Sequence, residues 1–337
     1  MSVSIKDVAA KAGVSTATVS KILNGYSSIS EETTQRVKDV MKELDYHPNR
    51  RARNFAKQST RTIMFVTSMK KKEAFENPHM FEIMSGLLHT LSEKNYALIL
   101  ISVEDKNYLD LVKQIIREKA VDGMVFHVSV VTKELEKLIK TQEIPHMVIG
   151  CPDFATQLCW IDNNNIQAGE MAAKYLLDMG YQKISFIGGV QEDNISENRL
   201  QGLINHLNMF DKKIGAEYIF RGDSTIESGY NMMKQLLQVK ARPEVVLCAN
   251  NYLAYGAVKA IQSEGIIIPD ELGVMTFDDY PFSKITEPSL TVVDIDVYDL
   301  GRQAAKHIIK KIKQPNLQIQ SYITLTGLTI RNSTHKK

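Results

Sequence analysis

Apolar positions near the start of the chain return at helical spacing. Ile5, Val8, Ala9 and Ala12 form one stripe, and after Gly13 a shorter one carries Val19, Ile22 and Leu23. Gly13 stands where a helix closes on a left-handed residue, a backbone glycine adopts without strain. Ser15 is placed to cap the second helix with its hydroxyl. A loop from Gly25 to Ile29 leads to Ser30, which caps a third helix reaching about Leu44. Glu31 and Glu32 sit in its positive first turn, and Val37, Val40, Met41 and Leu44 supply its core face. Pro48, in Tyr46-His47-Pro48-Asn49, disfavours continuation. Helix, glycine turn, helix is the helix-turn-helix plan, in which the second helix enters the DNA major groove. On that helix Thr16, Ala17, Ser20 and Lys21 are not needed for packing. They are short or cationic, as base and phosphate contact requires.

From Thr62 the pattern becomes apolar strands alternating with helices. Strands are predicted at Ile63–Thr67, Ala97–Ser102, Gly123–His127 and Met147–Gly150, with helices near 79–95, 108–119 and 132–141. After Cys159–Asp162 a second set follows: strands Lys183–Ile187, Tyr218–Phe220, Val245–Cys248 and Val274–Phe277, with helices near 164–179, 197–210, 225–239 and 250–264. The tail adds strand Leu290–Asp294, helix Val297–Lys313, and strands near Ile319–Leu325 and Thr329–Arg331. Such alternation implies parallel sheets covered on both faces. The units are too many for one sheet. The fold class predicted is therefore α/β: a small all-α head, then two doubly wound parallel-sheet lobes. The expected boundaries are a head at 1–47, a linker at 48–60 and a body at 61–337. One lobe takes about 61–161 plus 294–320, the other about 162–293 plus 321–337. Ligands of such sheets bind beyond the carboxyl ends of the strands, here in the cleft between lobes.

Charge changes this picture. Residues 1–61 hold eleven Lys/Arg against six Asp/Glu, whereas the rest holds thirty against thirty-three. A basic head on a mildly acidic body points to nucleic acid at one end. RRARNFAKQSTR (50–61) has five basic residues and no acid. It reads either as a hinge that folds on DNA or as a solvated linker. Cys151, Cys159 and Cys248, an odd number without metal-ligand spacing, fit a reducing cytoplasm. The N-terminus shows no apolar signal core, and no apolar run is long enough to span a bilayer. No GxGxxG, HExxH or GxSxG motif is present, so no catalytic role, metal or cofactor is expected.

DVAAKAGVSTATVSKILN (7–24), YHPNRRARNFA (46–56), NPHMFEIMSGL (77–87), IDNNNIQAGEMAAKYLLDMGYQKISFIGG (161–189), RLQG (199–202), CANNYLAYGAVKAIQSEGIIIP (248–269) and FDD (277–279) occur in order. Together they resemble the LacI/GalR family of bacterial transcription regulators over essentially the whole chain. The resemblance implies a periplasmic-binding-protein-like body and a ligand-responsive regulator, most often a repressor. Its partners would be a double-stranded inverted-repeat operator and a sugar or sugar-derivative effector in the cleft. It also implies a homodimer in the cytoplasm; no leucine-heptad tail of the kind that builds tetramers follows Arg331. Whether effector aids or opposes DNA binding stays open. The alternative is a two-lobed solute receptor with no transcriptional role.

Carried over residue by residue, the family's base-reading positions fall on Thr16, Ala17 and Lys21, with Ser20 beside them. Positions close to phosphate fall on Asn24, Thr33 and Tyr46. The hinge positions are Asn49, Arg50, Ala52 and Arg53. Phe55 stands where the family wedges a leucine into the minor groove, and phenylalanine can do the same. The effector anchors fall on Arg199, Asn250 and Asp278. An arginine opposite an aspartate and an amide suits the hydroxyls of a polar ring; the alternative for Arg199 and Asp278 is a salt bridge. Asp162 reads either as ligand contact or as the N-cap of the helix it precedes. His79, Met80 and Ser224 occupy positions where relatives often stack aromatics. A cleft glutamine of the family is Ile295, and the usual Asp after Asn250 is Asn251. The lysine-bearing loop Met69–Glu76 reads as a solvated run or as a greeting to an anionic effector. Trp160 is expected in a strand, packed in the core.

Overall fold

The computed structural model describes residues 3–23, 29–46, 59–69, 78–103, 108–322 and 327–334, in two compact units. The first holds α1 (Ile5–Ala12), α2 (Thr16–Leu23) and α3 (Glu31–Glu43). Caps set their limits. The Ser4 amide and hydroxyl both donate to Asp7 Oδ2 at 2.8 Å, which holds the Asp7 carboxyl below its ordinary pKa. Gly13 ends α1 at φ 66°. Ser15 Oγ accepts the Thr18 amide at 3.0 Å and Ser30 Oγ that of Thr33 at 3.3 Å, as the sequence predicts. Val8, Ala9, Ala12, Val19 and Val37 make a small core.

The second unit opens with β1 (Thr62–Thr67), α4 (Pro78–Glu93), β2 (Ala97–Ser102), α5 (Tyr108–Arg117), β3 (Gly123–His127), α6 (Lys133–Thr141), β4 (His146–Ile149) and β5 (Trp160–Asp162). Next come α7 (Asn165–Asp178), β6 (Ile184–Gly188), α8 (Asn194–Asn208), β7 (Ile219–Arg221), α9 (Ile226–Leu236), β8 (Val245–Cys248), α10 (Asn251–Ser263), β9 (Gly273–Phe277), α11 (Pro281–Ile285) and β10 (Thr291–Asp294). The described part closes with α12 (Val297–Lys313), β11 (Gln320–Tyr322) and β12 (Gly327–Thr329). One sheet runs β11-β5-β4-β3-β1-β2 and the other β12-β10-β9-β8-β6-β7. β3, β4, β6, β8 and β9 are almost wholly buried, which explains their unbroken apolar runs.

Three helix pairs cover these sheets, and each crosses on reciprocal glycines. A Cβ on Gly86 would sit 2.1 Å from Tyr298 O, and one on Gly301 2.2 Å from Ile83 O, where α4 meets α12. Gly169 and Gly202 play the same part between α7 and α8, against Arg199 O at 2.1 Å and Ile166 O at 2.0 Å. Gly229 and Gly256 do so between α9 and α10, at 2.4 and 2.1 Å from Leu253 O and Ile226 O. No larger residue would let the backbones approach so closely.

Three details depart from expectation. β12 is antiparallel to β10, because the chain returns to this edge from the other sheet; an antiparallel edge on a parallel sheet is common. α8 starts at Asn194 rather than 197, since Asp193 Oδ1 accepts the Ser196 amide at 3.1 Å. The short α11 was not predicted; Pro281 occupies its first position, where a missing N–H costs nothing.

Candidate functional site

On the head, Thr16, Ala17, Ser20 and Lys21 are all exposed along α2, while Val19 is buried beneath them. A hydroxyl pair, a methyl and an ammonium on one helix face can contact base edges and phosphates. Thr33 lies in the first turn of α3, its Oγ1 accepting from Ser30 Oγ at 2.9 Å. Tyr46 packs half-buried on the head's core. Asn24, Asn49, Arg50, Ala52, Arg53 and Phe55, and the hinge as a whole, lie outside the described residues.

In the body, Arg199 is 1% exposed. The Gly169 contact seats α8 against the first turn of α7. From there Arg199 Nε donates to Asn165 Oδ1 at 3.0 Å, and Nη1 donates to Ala249 O at 2.6 Å and Asp278 Oδ2 at 3.3 Å. The guanidinium carbon lies 4.3 Å from the centre of the Phe277 ring, within cation–π range. Asp278 leaves β9 at φ 67°. Asn251 Nδ2 holds that bend, donating to Phe277 O at 2.7 Å and Asp278 O at 2.9 Å. Its Oδ1 accepts from Ser283 Oγ at 2.5 Å and Tyr255 OH at 3.1 Å. Beside it, Arg331 Nη2 donates to Asp279 Oδ1 at 2.6 Å. Ser333 Oγ accepts the Thr291 amide at 2.8 Å and donates to Val274 O at 2.6 Å. Burial pushes the Asp278 carboxyl up, and Arg199 opposes that push. Asp278 Oδ1 and the Tyr280 hydroxyl are buried with no hydrogen-bond partner among the described residues.

His79, in the first turn of α4, and His127, ending β3, come from the other sheet. Burial, helped by the Arg199 charge, takes His79 down to about 4. Burial and His79 take His127 to about 3. Both imidazoles are neutral near pH 7. His127 Nδ1 accepts the Ser129 amide at 3.3 Å, so its proton sits on Nε2.

Several sequence expectations change. Met80 is 5% exposed and packs in the core, its sulfur 4.0 Å from Thr67 Oγ1; its side of α4 faces β1, not a ligand. Ser224 is exposed and donates to Asp193 Oδ2 at 3.3 Å, bracing the start of α8. Asn250 Oδ1 caps α10 through the Leu253 amide at 3.0 Å, so its side-chain oxygen has a structural task. The cap of α7 is Asn164 and not Asp162. Asp162 accepts instead from the Cys151 amide at 3.0 Å and the Asn163 amide at 2.7 Å. Ile295 is core. Trp160 lies in β5 as expected but is half-buried, edge-on to Tyr322 at 5.1 Å. Asn165, Phe277, Tyr280 and His127 were not anticipated, and Asn251 was noted only as a departure. Asn165, Asn251 and Phe277 lie inside the quoted motifs, but nothing local reveals that they converge on Arg199 and Asp278.

A family model described as bacterial regulatory proteins, lacI family, matches residues 4–49. One described as a periplasmic binding protein-like domain matches residues 173–334. The HTH-type transcriptional repressor PurR of Histophilus somni (strain 129Pt) is 30% identical over 98% of each chain. The HTH-type transcriptional regulator MalR of Streptococcus pneumoniae (strain ATCC BAA-334 / TIGR4) is 31% identical over 93% of each. Among solved structures, a complex of the transcriptional regulator CelR with cellobiose is 26% identical with a TM-score of 0.74, over 98% of this chain and 99% of that one. The Lac repressor dimer bound to operator and the anti-inducer ONPF shares the fold at 22% identity and a TM-score of 0.80, covering 99% of each chain.

Proposed function

Because this chain belongs to the LacI family and so is a DNA-binding regulator of transcription, we propose that it works in the cytoplasm as a repressor, its paired heads reading an inverted repeat under control of a sugar or sugar-derivative effector. The observation that carries this is the exposed quartet Thr16, Ala17, Ser20 and Lys21 on a helix capped by Ser15. The match of residues 4–49 to regulators favours this over a solute receptor. Phe81 and Leu88 on α4, with Ile99 and Leu100 on β2, stay exposed; this apolar face is the surface through which we pair two protomers. Asn24, Thr33, Tyr46 and the hinge residues Asn49, Arg50, Ala52 and Arg53 would hold phosphates, with Phe55 as the wedge.

The sugar reading rests on Arg199, Asn250 and Asp278, with Asp162 behind them, facing the neutral His79 and His127. It is supported by the cellobiose named with one relative. One sheet supplies the charged anchors and the other the imidazoles, so a ligand that touches both favours one arrangement of the lobes. Only such differential affinity can alter DNA binding. The test is fluorescence anisotropy with DNA from upstream of its own gene. Specific binding should weaken steeply with salt, as counterion release requires, and Lys21→Ala should reduce it. Salt-insensitive or absent binding overturns the reading.

A further inference from the structure

Cations are unevenly shared among the carboxylates around the cleft. Asp279 has two partners, Arg331 at 2.6 Å and Lys284 at 3.5 Å. Asp278 has Arg199 on one oxygen only. Glu82, Asp294 and Asp296 form no ion pair among the described residues. Geometry brings these groups together. β10 pairs with β9 so that Val293 lies opposite Phe277, which sets Asp294 beside Asp278. The close contact of Gly86 with Tyr298 O and of Gly301 with Ile83 O packs the middle of α4 against the start of α12, and Glu82 on α4 lies within electrostatic reach of Asp296 and Asp294. At this junction lie two buried polar atoms without a hydrogen-bond partner among the described residues, Asp278 Oδ1 and the hydroxyl of Tyr280; the two residues are 4% and 9% exposed.

We propose that Glu82, Asp278, Asp294 and Tyr280 form a subsite for a protonated amine carried by the effector, so that the cleft selects an amino sugar over its neutral or phosphorylated counterpart. This rests on the effector reading above. An ammonium offers three N–H donors and one compact charge, one donor each for Asp278 Oδ1 and the two unpaired acids, with the Tyr280 hydroxyl free to donate to one of the same carboxylates. A sugar hydroxyl donates once and leaves the negative charge unbalanced, and a phosphate is repelled. Glu82, Asp278 and Asp294 are all held above the ordinary carboxylate range. Burial is the main cause; Asp296 and Asp294 add to it at Glu82, and Asp278 adds to it at Asp294. The neutral His79 across the cleft does not offset that excess of acid.

The full chain is titrated calorimetrically with glucosamine against glucose, galactosamine against galactose, glucose 6-phosphate, and CaCl2 or MgCl2 alone. At least one amino sugar should bind roughly tenfold or more tightly than its neutral partner, the scale of a hydrogen bond to a charged group. Asp294→Asn or Glu82→Gln should erase that preference. Tyr280→Phe, which keeps the ring, should narrow it and serves if an acid variant fails to fold. Equal or tighter binding of the neutral or phosphorylated sugar, a response to the metal salts alone, or no response to either amino sugar overturns the proposal. If amino sugars bind but no upstream DNA does, the subsite stands and the regulator reading fails.

Discussion

The second sheet's wall of the cleft is tied together by contacts within its own lobe. Arg199, Asn165, Phe277, Asp278 and Asn251 come from four separate stretches of chain, and hydrogen bonds or ring contact within that lobe tie each to another. The wall from the first sheet is built otherwise. His79 and His127 are half-buried and neutral, and His127 is held by its neighbour Ser129 two residues away. One wall thus supplies fixed charge at the cost of desolvating it; the other supplies adaptable donors and acceptors. Most of the charge that selects a ligand should therefore reside in the second lobe, with Glu82 as the first lobe's contribution, and changes at the Arg199–Asp278 pair should cost stability as well as response.

The sharpest way to break this comparison is Arg199→Ala. It strands the Asp278 carboxylate without its cation, so urea unfolding should show a loss of about 3–5 kcal/mol, and effector response should vanish. His79→Gln on the opposite wall should change stability by less than about 1 kcal/mol. Equal losses at both positions would show that the walls do not differ.

Next in size are the glycine crossings. Gly202→Ala and Gly301→Ala each drive a methyl toward a backbone carbonyl, and each should cost about 1–3 kcal/mol or more. Only Gly202→Ala disturbs the helix pair that seats Arg199, so effector affinity measured by calorimetry should fall further in that variant. A smaller change, Asn250→Ala, removes the cap of α10 and should cost about 1 kcal/mol, read as a lower melting temperature.

The remaining difference is one of sign. His79 and His127 titrate below the ordinary histidine value in the folded state. Their contribution is therefore whole above about pH 6.5 and is lost as pH falls towards about 4 and about 3. Asp278 is shifted upward, so its contribution has the opposite slope: protonation relieves a folded-state penalty, and stability falls as pH rises through its titration. His127→Gln should flatten the acid limb of a stability–pH profile, whereas Asp278→Asn should steepen it.

Much of this architecture was legible in the sequence because its signals are local. The head's helices declare themselves through period, Gly13, Ser15 and Ser30, and the buried strands through unbroken apolar runs. The family resemblance points to Arg199, Asn250 and Asp278 as anchors, and the structure shows Arg199 paired with Asp278, the salt bridge that reading kept as the alternative. The burial of Arg199 was not foreseeable from composition, since arginine is rarely buried unless paired. Its partners Asn165 and Asp278 lie 34 and 79 residues away, and no periodicity reports such distances. Met80 misled for the opposite reason: which side of a helix meets a cleft depends on packing that sequence spacing leaves undetermined.

The tie between Arg331 and Asp279, and that of Ser333 to Val274 and Thr291, bears on how the protein is made. Domains fold in the order in which they emerge during synthesis, so the head is complete when almost none of the sensor exists. The loop that carries Asp278 gains its last supports only when residues 331–333 have left the ribosome. A product terminated before Arg331 would retain the exposed face of α2 while lacking the ties that brace Asp279, Val274 and Thr291.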